Sequence, residues 1–120
     1  MPVVSIIEED ILELQLKDHF TMEEIKFAFS EAVAKLPPDH KPALLLDIQS
    51  SNELKSMEEL KDAAIFFSKH FDKIRPKASL CADEKVRFGI GRQFCAFAEL
   101  NGFEAKCFYD CEESRAFLKA

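Results

Sequence analysis

Cys81, Cys95, Cys107 and Cys111 carry the most versatile chemistry in this 120-residue sequence. Thiolates can ligate metals, attack electrophiles or pair as disulfides. No two of them stand as Cys-x2-Cys, so neither a zinc ribbon nor a thioredoxin-type motif is written here. The nearest pair is Cys107-x3-Cys111. In a reducing compartment all four are expected as free thiols filling small buried apolar positions. The three histidines, His19, His40 and His70, lie near segment ends without the spacing of a metal site. No metal site and no cofactor are expected.

Asp47, Asp83 and Asp110 each close an apolar run. Carboxylates at the carboxyl ends of parallel strands can hold a divalent cation or accept a phosphoryl group. A receiver-type acceptor would also need a paired acidic residue after the first strand and a lysine after the last, and both are missing. Asp110 and Asp83 equally suit helix starts. No Gly-x-Ser-x-Gly nucleophile elbow occurs, and the expectation is a non-enzymatic protein.

The run Phe88-Gly89-Ile90-Gly91-Arg92 stands where a helix should open after a strand. Backbone N–H groups at Gly89 and Gly91, with the Arg92 guanidinium, could hold an anion there. The third glycine of a dinucleotide fingerprint is lacking and no Gly-Lys-[Ser/Thr] follows. The alternative is that the glycines let this helix pack closely against its neighbour.

The elements that would position these groups are marked along the chain. Val3 to Ile7 and the alternating Leu12-Glu13-Leu14-Gln15-Leu16-Lys17 read as a hairpin, the second strand half exposed. Thr21 and Glu24 spell a capping box, Phe20 can staple onto Ile25, and Pro37-Pro38 stops the helix. The apolar run Ala43 to Ile48 suits a strand covered on both faces. Ser56 and Glu59 spell a second capping box before a stripe from Leu60 to Ile74. Phe66 lies off that stripe, so if exposed it would be an anchor for a partner. Lys77 to Ala82 and Ala105 to Tyr109 read as strands, with a helix from Val86 to Leu100 between them and Asn101-Gly102 as its stop. Asp110 with Glu113 caps a short last helix.

The order β-β-α-β-α-β-α-β-α predicts an α/β domain with a mixed, roughly five-stranded sheet flanked by about four helices. No repeat or composition break divides residues 1–120, which read as one domain. Composition agrees: 48% hydrophobic and 32% charged residues suit a globular chain, and twelve Phe with no Trp give it an aromatic core. The net charge of −6 argues against nucleic acid as a partner. No apolar run is long enough to span a bilayer and no leader is evident, so stable membrane insertion is not expected and the location is expected to be cytoplasmic.

Ala43-Leu-Leu-Leu-Asp47, the capped aromatic helix, the strand to Ala82, Phe88-Gly-Ile-Gly-Arg-Gln-Phe94 and the closing Gly102 to Leu118 together resemble the SpoIIAA-like, or STAS/Sec14-type, family over roughly residues 10–120. The resemblance implies a regulatory or protein-interaction module, acting through a protein partner or through self-association as a homodimer. In anti-sigma-factor antagonists of that type, a serine in Asp-Ser-[Ser/Thr]-Gly between a strand and a helix is phosphorylated. The corresponding segment here, Gln49 to Ser56, lacks that motif but offers Ser50, Ser51, Asn52 and Ser56 as partner-binding candidates beside Phe66. Sec14-type relatives bind lipids, which implies as the alternative a carrier for a small hydrophobic ligand, with Gly89, Gly91 and Arg92 at its polar head.

Overall fold

The computed structural model of the chain describes residues 3–49, 55–82 and 85–120. The alternating segment pairs as the sequence predicts. Strands β1 (Val3–Glu8) and β2 (Ile11–Leu16) form an antiparallel hairpin with Val3 opposite Leu16 and Glu8 opposite Ile11. Glu9 makes the tight turn possible by entering the left-handed region at φ 55°.

The remaining elements are α1 (Met22–Ala34), β3 (Ala43–Asp47), α2 (Met57–Ser68), β4 (Lys77–Cys81), α3 (Lys85–Leu100), β5 (Glu104–Phe108) and α4 (Cys111–Lys119). Strands β2 to β5 are parallel, and the sheet order is β1-β2-β3-β4-β5. Each new strand is thus added beside its predecessor. Right-handed crossovers onto a sheet growing in one direction put their helices on one face. Accordingly α1, α2 and α3 share the first face, while α4, which makes no crossover, covers the second. The strand order never reverses, so the sheet lacks the switch-point crevice of doubly wound folds.

Period-two alternation divides the strands between two cores. Leu12, Leu14, Leu44, Leu46, Ala78 and Leu80 face the three crossover helices and pack with Phe29, Ala64, Phe67 and Phe94. Phe29 and Phe67 meet edge to face at 5.1 Å. Fully burying such a ring is worth about 1.5–3 kcal/mol, and a well-placed ring pair adds roughly 0.5–1.5 kcal/mol. On the second face Ile11, Ala43, Leu45 and Cys81 pack under Leu118 and Phe117 of α4.

Both capping boxes form. Thr21 and Ser56 each accept from the N–H three residues on, while Glu24 and Glu59 reach back to the cap N–H. The Ser56 backbone N–H holds the Glu59 carboxyl below its usual range, with the Ser56 hydroxyl and Lys55 acting in the same direction. Asp110 caps α4 differently: its carboxylate accepts from Glu112 N–H at 2.8 Å instead of making a box with Glu113. Gly102, at φ 102°, ends α3 in a Schellman motif, with Phe103 N–H donating to Ala98 O and Gly102 N–H to Glu99 O.

Two expectations need correction. The α2 helix ends at Ser68, short of the stripe's last residue Ile74, and turns carry the chain onward with Ile74 still buried. Strand β2 is not half exposed. Glu13 is 3% exposed, because Arg115 of α4 pairs with its carboxylate and Gln15 donates to it at 2.8 Å. A charge can occupy a buried position when it is paired and hydrogen-bonded there.

Candidate functional site

The pleat and the register assemble a row of side chains at the carboxyl end of the sheet. Gln15 pairs with Asp47, Asp47 with Cys81, and Cys81 with Phe108, so all four point to the second face. Cys111, the first residue of α4, comes down onto this row from above. Cys81 and Cys111 are joined as a disulfide with Cα atoms 5.3 Å apart and a sequence separation of 30. The expectation of four reduced thiols is corrected accordingly.

The sequence pair Cys107-x3-Cys111 is split across the sheet. Cys107 faces the first core and Cys111 the second, since the intervening chain leaves β5 and turns over its end. Cys95 and Cys107 remain free and buried. Burial pushes the Cys107 thiol up to about 12, against the pull of the nearby Arg92 charge. The Cys95 thiol is raised still further by burial, then by Cys107 and Glu99. Both are inert packing groups at neutral pH.

The Asp47 carboxylate is oriented by Gln49, whose N–H donates to Oδ1 at 3.0 Å. The Gln49 side chain spans the same end of the sheet, with Nε2 donating to Tyr109 O at 3.4 Å and Oε1 lying 3.6 Å from Cys111 Sγ. The Asp47 carboxylate and the two sulfurs all lie within 4.8 Å of one another. Nearby, the exposed Tyr109 ring stacks on Phe88 with centroids 4.1 Å apart and planes 6° from parallel.

Other candidates take structural roles. Gly89 and Gly91 lie inside α3, which begins at Lys85, so their N–H groups belong to the helix interior instead of its opening. The anion cradle loses its geometry for that reason. A Cβ on Gly91 would lie 2.6 Å from Leu80 Cδ2 and 2.7 Å from Cys107 Sγ, so this glycine sets how closely α3 approaches β4 and β5. Arg92 is exposed on the same helix. Phe66 is half buried, edge-on to Phe29 at 5.5 Å and against His70 at 4.8 Å. Ser56 is engaged as the cap of α2. Ser50, Ser51, Asn52 and Asp83 lie outside the described residues. His40 pairs with Asp10 at 3.1 Å, and His70 Nδ1 lies 2.8 Å from Phe66 O.

Beneath the first face lies an apolar cavity of ≈ 50 Å³, bounded among others by Phe20, Ile48, Leu60, Ile90 and Phe94. The cation at its wall is Lys55, not Arg92; its ammonium donates to Phe20 O at 2.5 Å.

No family model matches the chain, and no curated protein matches it. Among solved structures, one protein from Shewanella loihica PV-4 aligns over 97% of this chain and 91% of its own, with a TM-score of 0.62 and 16% identity. It is described as an uncharacterized protein of the DUF3478 family with a SpoIIAA-like fold. This chain has a SpoIIAA-like fold. No described helix is long and apolar enough to cross a membrane.

Spacing missed the disulfide, whereas Asp47 beside it is one of the strand-end carboxylates that the sequence marks. One signal was available. In Lys77-Ala-Ser-Leu-Cys81 the alternation that buries Ala78 and Leu80 on one face puts Cys81 on the other. A helix that starts with Cys111 after the next strand can reach that face.

Proposed function

We propose that this SpoIIAA-like domain is a non-enzymatic interaction module that docks a protein partner through the outer face of α2. The supporting observation is a row on that helix. Met57, Lys61 and Ile65 recur at four-residue intervals, and Met57 and Ile65 are 53% and 40% exposed. Side chains so spaced line one face and can seat together against a partner. The row begins at the amino end of α2, beside the loop that carries the switch in phosphorylation-controlled relatives of this fold. Glu58, Asp62 and Lys69 surround it with mixed charge, the polar rim typical of reversible interfaces.

The test compares partner capture from cells by the wild-type chain with capture by the Met57→Asp/Ile65→Asp variant. Loss of specific partners with an unchanged circular dichroism spectrum is expected. If both chains capture the same proteins, the proposal fails. Sedimentation of the purified protein separates self-association from binding to another chain.

The alternative, a carrier for a hydrophobic ligand, draws support from the apolar cavity with Lys55 at its wall. The cavity's ≈ 50 Å³ compares with roughly 300–1,000 Å³ for sites that hold drug-sized ligands. A carrier that used this cavity would therefore have to open the first core by several-fold. Native mass spectrometry decides: a co-purifying lipid supports the carrier, and a bare chain mass removes it.

A further inference from the structure

The cluster at the carboxyl end of the second face has the composition of a soft metal site held shut by oxidation. Its three groups come from three elements: Asp47 ends β3, Cys81 ends β4 and Cys111 opens α4. The β3–β4 register puts Asp47 and Cys81 directly side by side, so their approach is fixed by the sheet and not by a mobile loop. With all three ligand atoms within 4.8 Å of one another, little movement separates this arrangement from a tetrahedral one. Zinc–sulfur bonds of about 2.3 Å and zinc–oxygen bonds of about 2.0 Å require ligand atoms roughly 3.5–3.8 Å apart.

We propose that, once the Cys81–Cys111 bond is reduced, the two sulfurs and the Asp47 carboxylate bind one zinc-class divalent ion. A dithiol or phosphine reductant supplies two electrons, and the two sulfurs take up two protons as it is oxidised. Metal binding then releases those protons, leaving two thiolates and one carboxylate on the ion, with water in the fourth position. Two thiolates select a soft or borderline ion over Mg²⁺ or Ca²⁺. Cys111 sits at the amino end of α4, where the helix dipole favours a thiolate. The Gln49 N–H on Asp47 Oδ1 supplies the outer hydrogen bond that orients a ligating carboxylate. Cys111 and Asp47 are half buried, giving an ion a way in, whereas Cys81 is buried. Disulfide and metal are mutually exclusive, so the site reports the redox poise around the protein.

The test is anaerobic titration of the phosphine-reduced full chain with Co²⁺ as a spectroscopic probe. One Co²⁺ per chain is expected, with a sulfur-to-cobalt charge-transfer band that Zn²⁺ abolishes and that the oxidised chain never shows. Cys81→Ser and Cys111→Ser should each remove the two-thiolate spectrum. Asp47→Asn should weaken binding by at least the 10–100-fold typical for loss of a group that merely supports a ligand. A Cys95→Ala/Cys107→Ala chain should bind as wild type. Independently of any variant's folding, one equivalent of Zn²⁺ should protect Cys111 of the reduced wild-type chain from alkylation. A missing band, a band that survives both serine substitutions, or unprotected Cys111 would each overturn the proposal.

Discussion

Gly91 of α3 lies so close to Leu80 of β4 that a single added carbon would stand 2.6 Å from its Cδ2 atom. Gly89, two residues earlier in the same helix, has nothing within 4 Å of the same imaginary carbon. The two glycines should therefore respond oppositely to alanine. Gly89→Ala should stabilise the protein by about 0.5–1 kcal/mol, the helix-propensity gain. Gly91→Ala should destabilise it by roughly 1–3 kcal/mol through overpacking. Urea denaturation of both variants checks the pair, and equal shifts would contradict the packing role of Gly91.

Reduction should cost stability as well as open the metal site. Closing a loop of 30 residues is worth about 3–4 kcal/mol in the chain-entropy account. A phosphine reductant should lower the unfolding free energy of the wild-type chain by that order and leave a Cys81→Ser/Cys111→Ser chain unaffected. Equal denaturation curves with and without reductant would show that the pair is not joined in solution.

The Glu13–Arg115 pair ties α4 to β2. Glu13 is nearly fully buried, whereas the Arg115 side chain keeps 33% of its exposure, so water screens the pair from one side. Arg115→Met should cost about 2–3 kcal/mol, below the range for fully enclosed pairs, because it strands a buried carboxylate. Adding Glu13→Gln should restore part of the loss. A double-mutant cycle in urea measures the coupling, and strict additivity would rule it out.

Alkali should unfold the protein through its free thiols. The folded Cys107 thiol is raised from the usual 9.0 to about 12, and Cys95 is raised further. A raised folded value means the folded chain holds the proton longer than the unfolded one. The associated stability is complete below pH 9 and is lost as pH climbs toward the folded values. The urea midpoint should fall over that window, and the Cys95→Ala/Cys107→Ala chain should show a smaller fall. Identical pH profiles would mean that these thiols are not buried.

The element order was legible because caps and periodicity agreed: Thr21-x-x-Glu24 and Ser56-x-x-Glu59 marked helix starts that the structure reproduces. The reach of α2 was not, since Phe71 and Ile74 continue an apolar stripe after the helix itself has ended. Glu13 read as a solvent-facing residue because its partner Arg115 lies 102 positions away. The same distance effect hid the candidate site. Cys107 and Cys111 are neighbours in sequence but belong to opposite faces, while Cys81 and Cys111 meet only because adjacent parallel strands end at one level. Of the two readings of the Gly89–Arg92 run, Gly91 fits the packing one, because α3 starts at Lys85, close to the Val86 that the pattern marks.

The sheet grows strand by strand in chain order, but its second face waits for α4, which follows all five strands. As the chain leaves a ribosome, β3 and β4 can therefore assemble with their crossover helices while Leu45 and Cys81 stay bare on the other side. Cys81 must remain unreacted until Cys111 emerges 30 residues later. During that interval it is open to any other thiol or oxidant it meets. Closing the second face over β3 and β4 therefore waits for α4, and the same step gives Cys81 its partner.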